Sequence, residues 1–267
     1  MVRVTTTDRR GVLRAGAGLV AGGALAAGCS ATGAAPHPAA PDAPPTGAHA
    51  TPTAAARSAA PALRAFPHQP PQIAHGPRDR PRVALTFHGQ GDPAIARALL
   101  TTAEAHGARL TVLAVGAWLD EHPELARRVL DGGHDLGNHT QRHLAVNDMS
   151  EADARAEITG CADRLKRLTG SIGAWFRPSR APAASPLVQR LARDAGYPHV
   201  LSYDVDSLDY TRPGAPAVVR NVMAAARAGS VVSLHFGYAD TVAALPDVLA
   251  ELDRRGLHAV TTTELLS

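Results

Sequence analysis

Two histidines four residues apart, His139 and His143, occur in the run Gly137-Asn138-His139-Thr140-Gln141-Arg142-His143. Imidazole is the commonest metal-binding side chain, and a hydrolytic zinc keeps three protein ligands with one position open to water. The same pair also fits two surface histidines, so the surroundings must decide between the readings. Other titratable groups recur along the chain: His88 after Thr86-Phe87, Arg177 before Pro178, then Asp204, Asp206 and Asp209, and His235 after Val231-Val232-Ser233-Leu234. His235 reads either as a core histidine satisfied by backbone or as a general acid. The second role needs a carboxylate on one ring nitrogen, and Asp209 is a candidate. Arg177 reads as a structural ion-pair former or as the group that orients a polar neighbour beside a metal. The three aspartates also read as caps of the helix that follows them.

Apolar runs of strand length alternate with helical periodicity from residue 82 onward. Strands are expected at 82–87, 109–115, 134–138, 199–203, 230–234 and 257–260, with a strand end at 175–177. Helices are expected at 94–106, 123–130, from Ser150 with Asp153 as its cap to 168, from Ser185-Pro186, at 215–228 and at 245–255. This alternation implies an α/β fold with a parallel sheet and helical crossovers. About 185 residues are short for a complete eight-unit barrel, so the expectation is a distorted or incomplete (β/α) barrel, with a doubly wound open sheet as the alternative. In either architecture ligands bind at the C-terminal strand ends. His88, His139, His143, Arg177, Asp204, Asp206, Asp209 and His235 all follow expected strands, so they collect on one rim.

The first eighty residues are of another kind. Residues 1–29 have the plan of an export signal, with Arg9-Arg10 before an Ala/Gly/Leu/Val stretch, resembling a twin-arginine signal. Leu25-Ala26-Ala27-Gly28-Cys29 resembles a lipobox, with the leucine one position further from the cysteine than usual, so a lipid on Cys29 tethering the chain to a membrane is expected. Residues 30–80 are rich in Ala, Pro and Thr and poor in large apolar side chains, the composition of a disordered linker. The folded domain is then expected over 81–267. Loss of residues 1–28 removes four arginines and one acid from a chain of net charge +3, leaving the remainder formally neutral. No basic patch argues for nucleic acid. With Cys29 acylated, Cys161 has no intramolecular disulfide partner.

The ordered blocks VALTF, GNHTQRH, FRP, DSLDY and SLH, over about residues 82–262, resemble the polysaccharide deacetylase family, carbohydrate esterase family 4. The resemblance implies a distorted (β/α) barrel that uses a divalent metal to hydrolyse N- or O-acetyl groups on glycans. It implies metal binding by His139 and His143, a base-orienting role for Arg177, and His235 as general acid supported by Asp209. Tyr210 would line the acetyl pocket where the family usually has tryptophan. The chain departs from the family in the first block. Thr-Phe-Asp-Asp-Gly, whose two aspartates are base and third metal ligand, is here Thr86-Phe87-His88-Gly89-Gln90. Ser179 also replaces a usual proline. Three repairs are open: His88 completes a three-histidine site, Asp92 folds back to supply a carboxylate, or nothing replaces the pair and the domain binds glycan without cutting it. The expected cofactor is a divalent metal, zinc by choice, and the expected partner an acetylated glycan. Trp118, Trp175, Phe176, Tyr203 and Tyr210 are the few aromatics expected near the rim for sugar stacking.

Overall fold

A computed structural model describes residues 63–267. The expected export signal, the lipid site at Cys29 and the linker up to residue 62 lie outside the described residues. In chain order the elements are β1 (Gln72–Ile73), β2 (Arg82–Gly89), α1 (Pro93–Ala105), β3 (Thr111–Ala114), α2 (Gly116–Glu121), α3 (Glu124–Asp131), β4 (Asp135–Asn138) and α4 (Glu151–Thr169). They continue with α5 (Pro186–Asp194), β5 (Val200–Leu201), β6 (Val205–Asp206), α6 (Ala215–Ala225), β7 (Val231–His235), α7 (Ala239–Arg254), β8 (His258–Val260) and α8 (Thr262–Leu265).

All pairings between these strands are parallel, in the order β4-β3-β2-β7-β6, with β8 beside the first half of β2 and β1 beside β5. Single bridges from Asn138 to Phe176 and from Phe176 to Val200 carry the wall from β4 across to β5. The result is a distorted, incomplete (β/α) barrel. The strand expected at 175–177 is reduced to that one bridging residue.

β2 shows how the sequence builds two faces. Val83, Leu85 and Phe87 point outward into the apolar layer under the helices, which includes Leu99 and Leu100 of α1 and Leu245 and Val248 of α7. Ala84 points into the barrel, where Ile73, Leu113, Leu201, Val231 and Val260 make an apolar floor. Thr86 and His88 share the inward face by the two-residue period of a strand, so polarity begins only above that floor.

Several expected boundaries move. Residues 63–80 are not linker: Ile73 is fully buried and β1 pairs with β5. A two-residue strand in Pro-rich surroundings has no periodicity to reveal it. Helix α7 begins six residues before the expected start at 245 and runs through Pro246, a residue that more often marks a first turn. α2 and β6 were not expected at all.

Candidate active site

The C-terminal strand ends bring together most of the expected site residues. His88 is the penultimate residue of β2 and His235 the last of β7, and the two are register partners, so their side chains face the same side. Their rings lie 4.3 Å apart between centroids. His139 follows β4, its ring 4.3 Å from that of His88 and 4.9 Å from that of His143. One ring nitrogen of each of His88, His139 and His143 lies within 4.8 Å of the others.

Local sequence explains how the two-histidine turn is held. At Gly137 an added Cβ would lie 2.6 Å from the Trp175 carbonyl oxygen, so only glycine lets β4 pass that strand. Asn138 donates to the Ile158 carbonyl and the Tyr197 hydroxyl, and its side-chain oxygen accepts from Thr140 N at 2.8 Å. Thr140 and His143 both have positive φ, 68° and 57°, an arrangement non-glycine residues adopt only when surroundings enforce it. Here the Thr140 hydroxyl accepts from His143 N and donates to Ser179, whose own hydroxyl donates to the Leu144 carbonyl. Ser179, the departure from proline, thus ties the turn down. Glu157 of α4 completes the support, accepting from Arg142 N at 2.8 Å and Arg142 Nε at 2.6 Å.

Burial makes all three imidazoles neutral. It holds His88 and His139 well below the ordinary histidine value, with neighbouring histidines adding to it. Burial, then Arg180, takes His143 down to about 4. Neutral imidazole is the ligand form. His139 donates Nδ1–H to the Arg177 carbonyl at 3.0 Å, which leaves its Nε2 as a buried lone pair with no partner. That orphaned nitrogen, facing two more neutral imidazoles, fits a divalent metal of the kind that histidines hold.

His88 carries a condition. Arg177 Nη1 donates to His88 Nε2 at 3.1 Å. Guanidinium only donates and neutral imidazole has one lone pair, so His88 can ligate only by exchanging that hydrogen bond for the metal. Arg177 is fully buried, and its other hydrogen bonds go to Thr86 Oγ1 and the carbonyls of Leu201 and Ser202, none to a carboxylate. Burial lowers its pKa to about 9, against the opposing fields of Tyr203 and Asp206.

His235 and Asp209 form a dyad. Asp209 is fully buried; its Oδ1 accepts from His235 Nδ1 at 2.7 Å, and its Oδ2 accepts from His235 N and from Thr241 Oγ1. The Nδ1–H is therefore committed, and Nε2 is the nitrogen free for chemistry. Thr241 escaped sequence reading because it lies in the part of α7 that was not expected to be helical. The cavity over these groups has a volume of about 390 Å³ and is lined by His88, His143, His235, Tyr203, Tyr210 and Asp206 among others. Tyr210 stands on its rim, 45% exposed, edge-on to His235 at 5.5 Å.

Other expected residues lie elsewhere. Asp92 caps α1, its Oδ1 accepting from Ala94 N at 2.7 Å, so it does not fold back into the site. Asp204 pairs with Arg78 and the Val231 amide. Trp118, Trp175 and Phe176 are core residues, each no more than 6% exposed, and not sugar-stacking rims.

A polysaccharide deacetylase family profile matches residues 75–200. The chain is 32% identical over 194 residues to a peptidoglycan-N-acetylglucosamine deacetylase of Bacillus cereus, covering 71% of this chain and 90% of the relative. It is 32% identical over 175 residues to a chitooligosaccharide deacetylase of Sinorhizobium fredii, covering 65% of this chain and 77% of the relative. Its fold is similar to that of a carbohydrate esterase family 4 pseudoenzyme from Bacillus anthracis, with TM-score 0.69 and 23% identity over 73% of this chain and 69% of the other. With the imidazole cluster and the histidine–aspartate dyad on one barrel rim, these likenesses lead to one conclusion: the chain belongs to the polysaccharide deacetylase family.

Proposed function

We propose that the protein is a metal-dependent hydrolase that removes acetyl groups, as amide or ester, from a cell-wall or environmental polysaccharide. The observation that carries this reading is the orphaned Nε2 of His139 inside a cluster of three neutral imidazoles, one of which, His88, lies 4.3 Å from the His235 ring of the His235–Asp209 dyad. His139, His143 and, on release from Arg177, His88 would hold the ion, which we take to be zinc. A divalent ion bound there supplies Lewis acidity toward an acetyl carbonyl and lowers the pKa of water. Asp209 fixes His235 in the orientation that turns Nε2 to the cavity, where it gives a proton to the departing nitrogen or oxygen. Tyr210 closes one side against the acetyl methyl group. Because the relatives named above include a peptidoglycan-N-acetylglucosamine deacetylase and a chitooligosaccharide deacetylase, the substrate we favour is a glycan carrying N-acetylglucosamine.

The test is acetate release from N-acetylglucosamine oligomers and from peptidoglycan, with zinc, after chelation and after zinc is restored. The reading requires release that chelation abolishes and zinc recovers. The second reading, an inactive relative that binds glycan, is favoured by the absence of both first-block carboxylates at His88 and Gly89. It requires saturable glycan binding with no acetate under any metal.

We also place the protein outside the cytoplasmic membrane, tethered by a lipid on Cys29. Incorporation of labelled fatty acid by the parent chain and not by Cys29→Ser is the expected result; equal labelling removes the tether.

A further inference from the structure

Hydrolysis of an acetyl amide needs a group that takes a proton from the attacking water, and the family's aspartate for that task is absent. Most obvious replacements are already committed. The lone pair of His88 belongs to Arg177, or to a metal when one is bound, so in neither state does His88 accept a proton. Both oxygens of Asp209 are occupied by His235 and Thr241. Asp92 caps α1, and Asp204 is bound to Arg78, Ser230 and Val231.

Asp206 remains. It is the one acid among the described residues lining the cavity that also holds His88, His143 and His235. Its position follows from register: Asp206 on β6 is level with Ser233 on β7, which is level with Thr86 on β2. Register partners in a parallel sheet face the same side, so Asp206 shares the inward face with Thr86, one two-residue step below His88 and His235. Thr86 is the hydroxyl to which Arg177 donates at 2.9 Å, and the same Nη1 reaches His88. Asp206 thus stands two strands from Thr86 on the same inward face, and its charge acts on the buried Arg177 guanidinium that the family uses to orient its base. One carboxylate oxygen accepts from Leu208 N at 3.0 Å, and burial, then the charge of this group, pushes the Tyr203 phenol up. A carboxylate has about four acceptor sites, so lone pairs remain for water.

We propose that Asp206 is the proton acceptor of the reaction, in place of the missing first-block aspartate. This rests on the deacetylase reading above. Water gives one proton to the Asp206 carboxylate as its oxygen bonds the acetyl carbon. The carbon–nitrogen bond then breaks as His235 Nε2 gives its proton to the nitrogen, leaving acetic acid and the free amine. Asp206 releases its proton to solvent and His235 takes one back, which restores both groups.

The experiment compares the purified parent chain, loaded with zinc, with Asp206→Asn, Asp206→Glu and Asp206→Gly. Steady-state acetate release is read beside zinc stoichiometry. For Asp206→Asn, kcat should fall about a hundredfold or more, the range general bases contribute, with KM within about threefold and zinc unchanged. Asp206→Glu should keep a measurable part of kcat, and added formate should restore part of the activity of Asp206→Gly in proportion to its concentration. Asp206→Asn within about threefold of the parent overturns the assignment alone. So does loss of zinc with activity, or a loss of activity that formate leaves untouched in a folded, zinc-loaded variant. No acetate from the parent overturns the deacetylase reading and the assignment together.

Discussion

At position 89, where the family has its metal-binding aspartate, an added Cβ would lie 3.0 Å from Val112 Cγ1 and 3.1 Å from the Ala114 Cα. By the two-residue period of β2 the side chain at 89 falls on the outward face with Phe87, against Val112 of β3, and not on the cavity face. Gly89→Asp is therefore expected to destabilise the fold by about 1–3 kcal/mol, as overpacking does, without tightening metal binding. Thermal unfolding and a zinc titration check both parts, and a variant as stable as the parent that binds zinc more tightly contradicts them. His139 and His235 separate in the same assays. His139→Ala should lose zinc and activity together. His235→Ala should keep zinc while turnover falls by about a hundredfold to ten-thousandfold, the usual contribution of a general acid. Loss of zinc from His235→Ala would show that it is a ligand and not the acid.

Helix α4 does two jobs for the metal turn. Ser150 caps it, its side chain accepting from Asp153 N, and Glu157 reaches across to the Arg142 backbone and guanidinium. Groups that orient ligands without touching the metal are typically worth about tenfold to a hundredfold in affinity. Glu157→Ala is accordingly expected to weaken zinc binding about tenfold in a folded protein, read by competition with a chelating dye. Unchanged affinity would mean that strand β4 alone sets the turn. At the other end of the sheet, His134 links β4 to its neighbours: its Nδ1 accepts from Leu110 N at 3.0 Å, and its Nε2 bonds Glu104 at 3.1 Å. Burial lowers its pKa, outweighing the opposing pull of Glu104. A depressed histidine binds fewer protons folded than unfolded, so its contribution is intact above the unfolded value near 6.5. It is lost as pH falls below that value toward the folded one. The parent should therefore lose more thermal stability between about pH 7 and 5 than His134→Asn, whose side-chain oxygen can still accept from Leu110; identical pH slopes would exclude His134 as the source.

The described residues form a set of layers inside one incomplete barrel: an apolar floor, then Thr86, Ser233, Asp206 and Arg177, then the imidazoles under the rim. Strain gathers at the top. All five non-glycine residues of positive φ among the described residues, Thr140, His143, Arg180, Leu208 and Arg212, lie in the loops above the strands. The floor depends on residues upstream of the motif-bearing region, since β1 brings fully buried Ile73 against β5. A chain beginning at residue 63 should fold and bind zinc like the parent. One beginning at residue 81 should be less stable by at least the burial of one large aliphatic side chain, about 1.5–3 kcal/mol, seen as a lower unfolding midpoint. Equal midpoints would make β1 dispensable.

The strand and helix alternation was legible because both periods are local, and so were the caps at Ser150 and Ser185. Family membership was legible because five blocks stand in order along the chain, and the loss of both first-block carboxylates is plain in Thr86-Phe87-His88-Gly89-Gln90. β1, β6 and the early start of α7 were not legible: two-residue strands have no period, and Pro246 mimics a helix start. Spacing along the chain cannot say which nitrogen of His88 faces Arg177, that Gly89 is walled in by β3, or that Asp206 shares a face with Thr86. Those are relations between strands distant in sequence, and only the register of the folded sheet decides which lone pairs remain for chemistry.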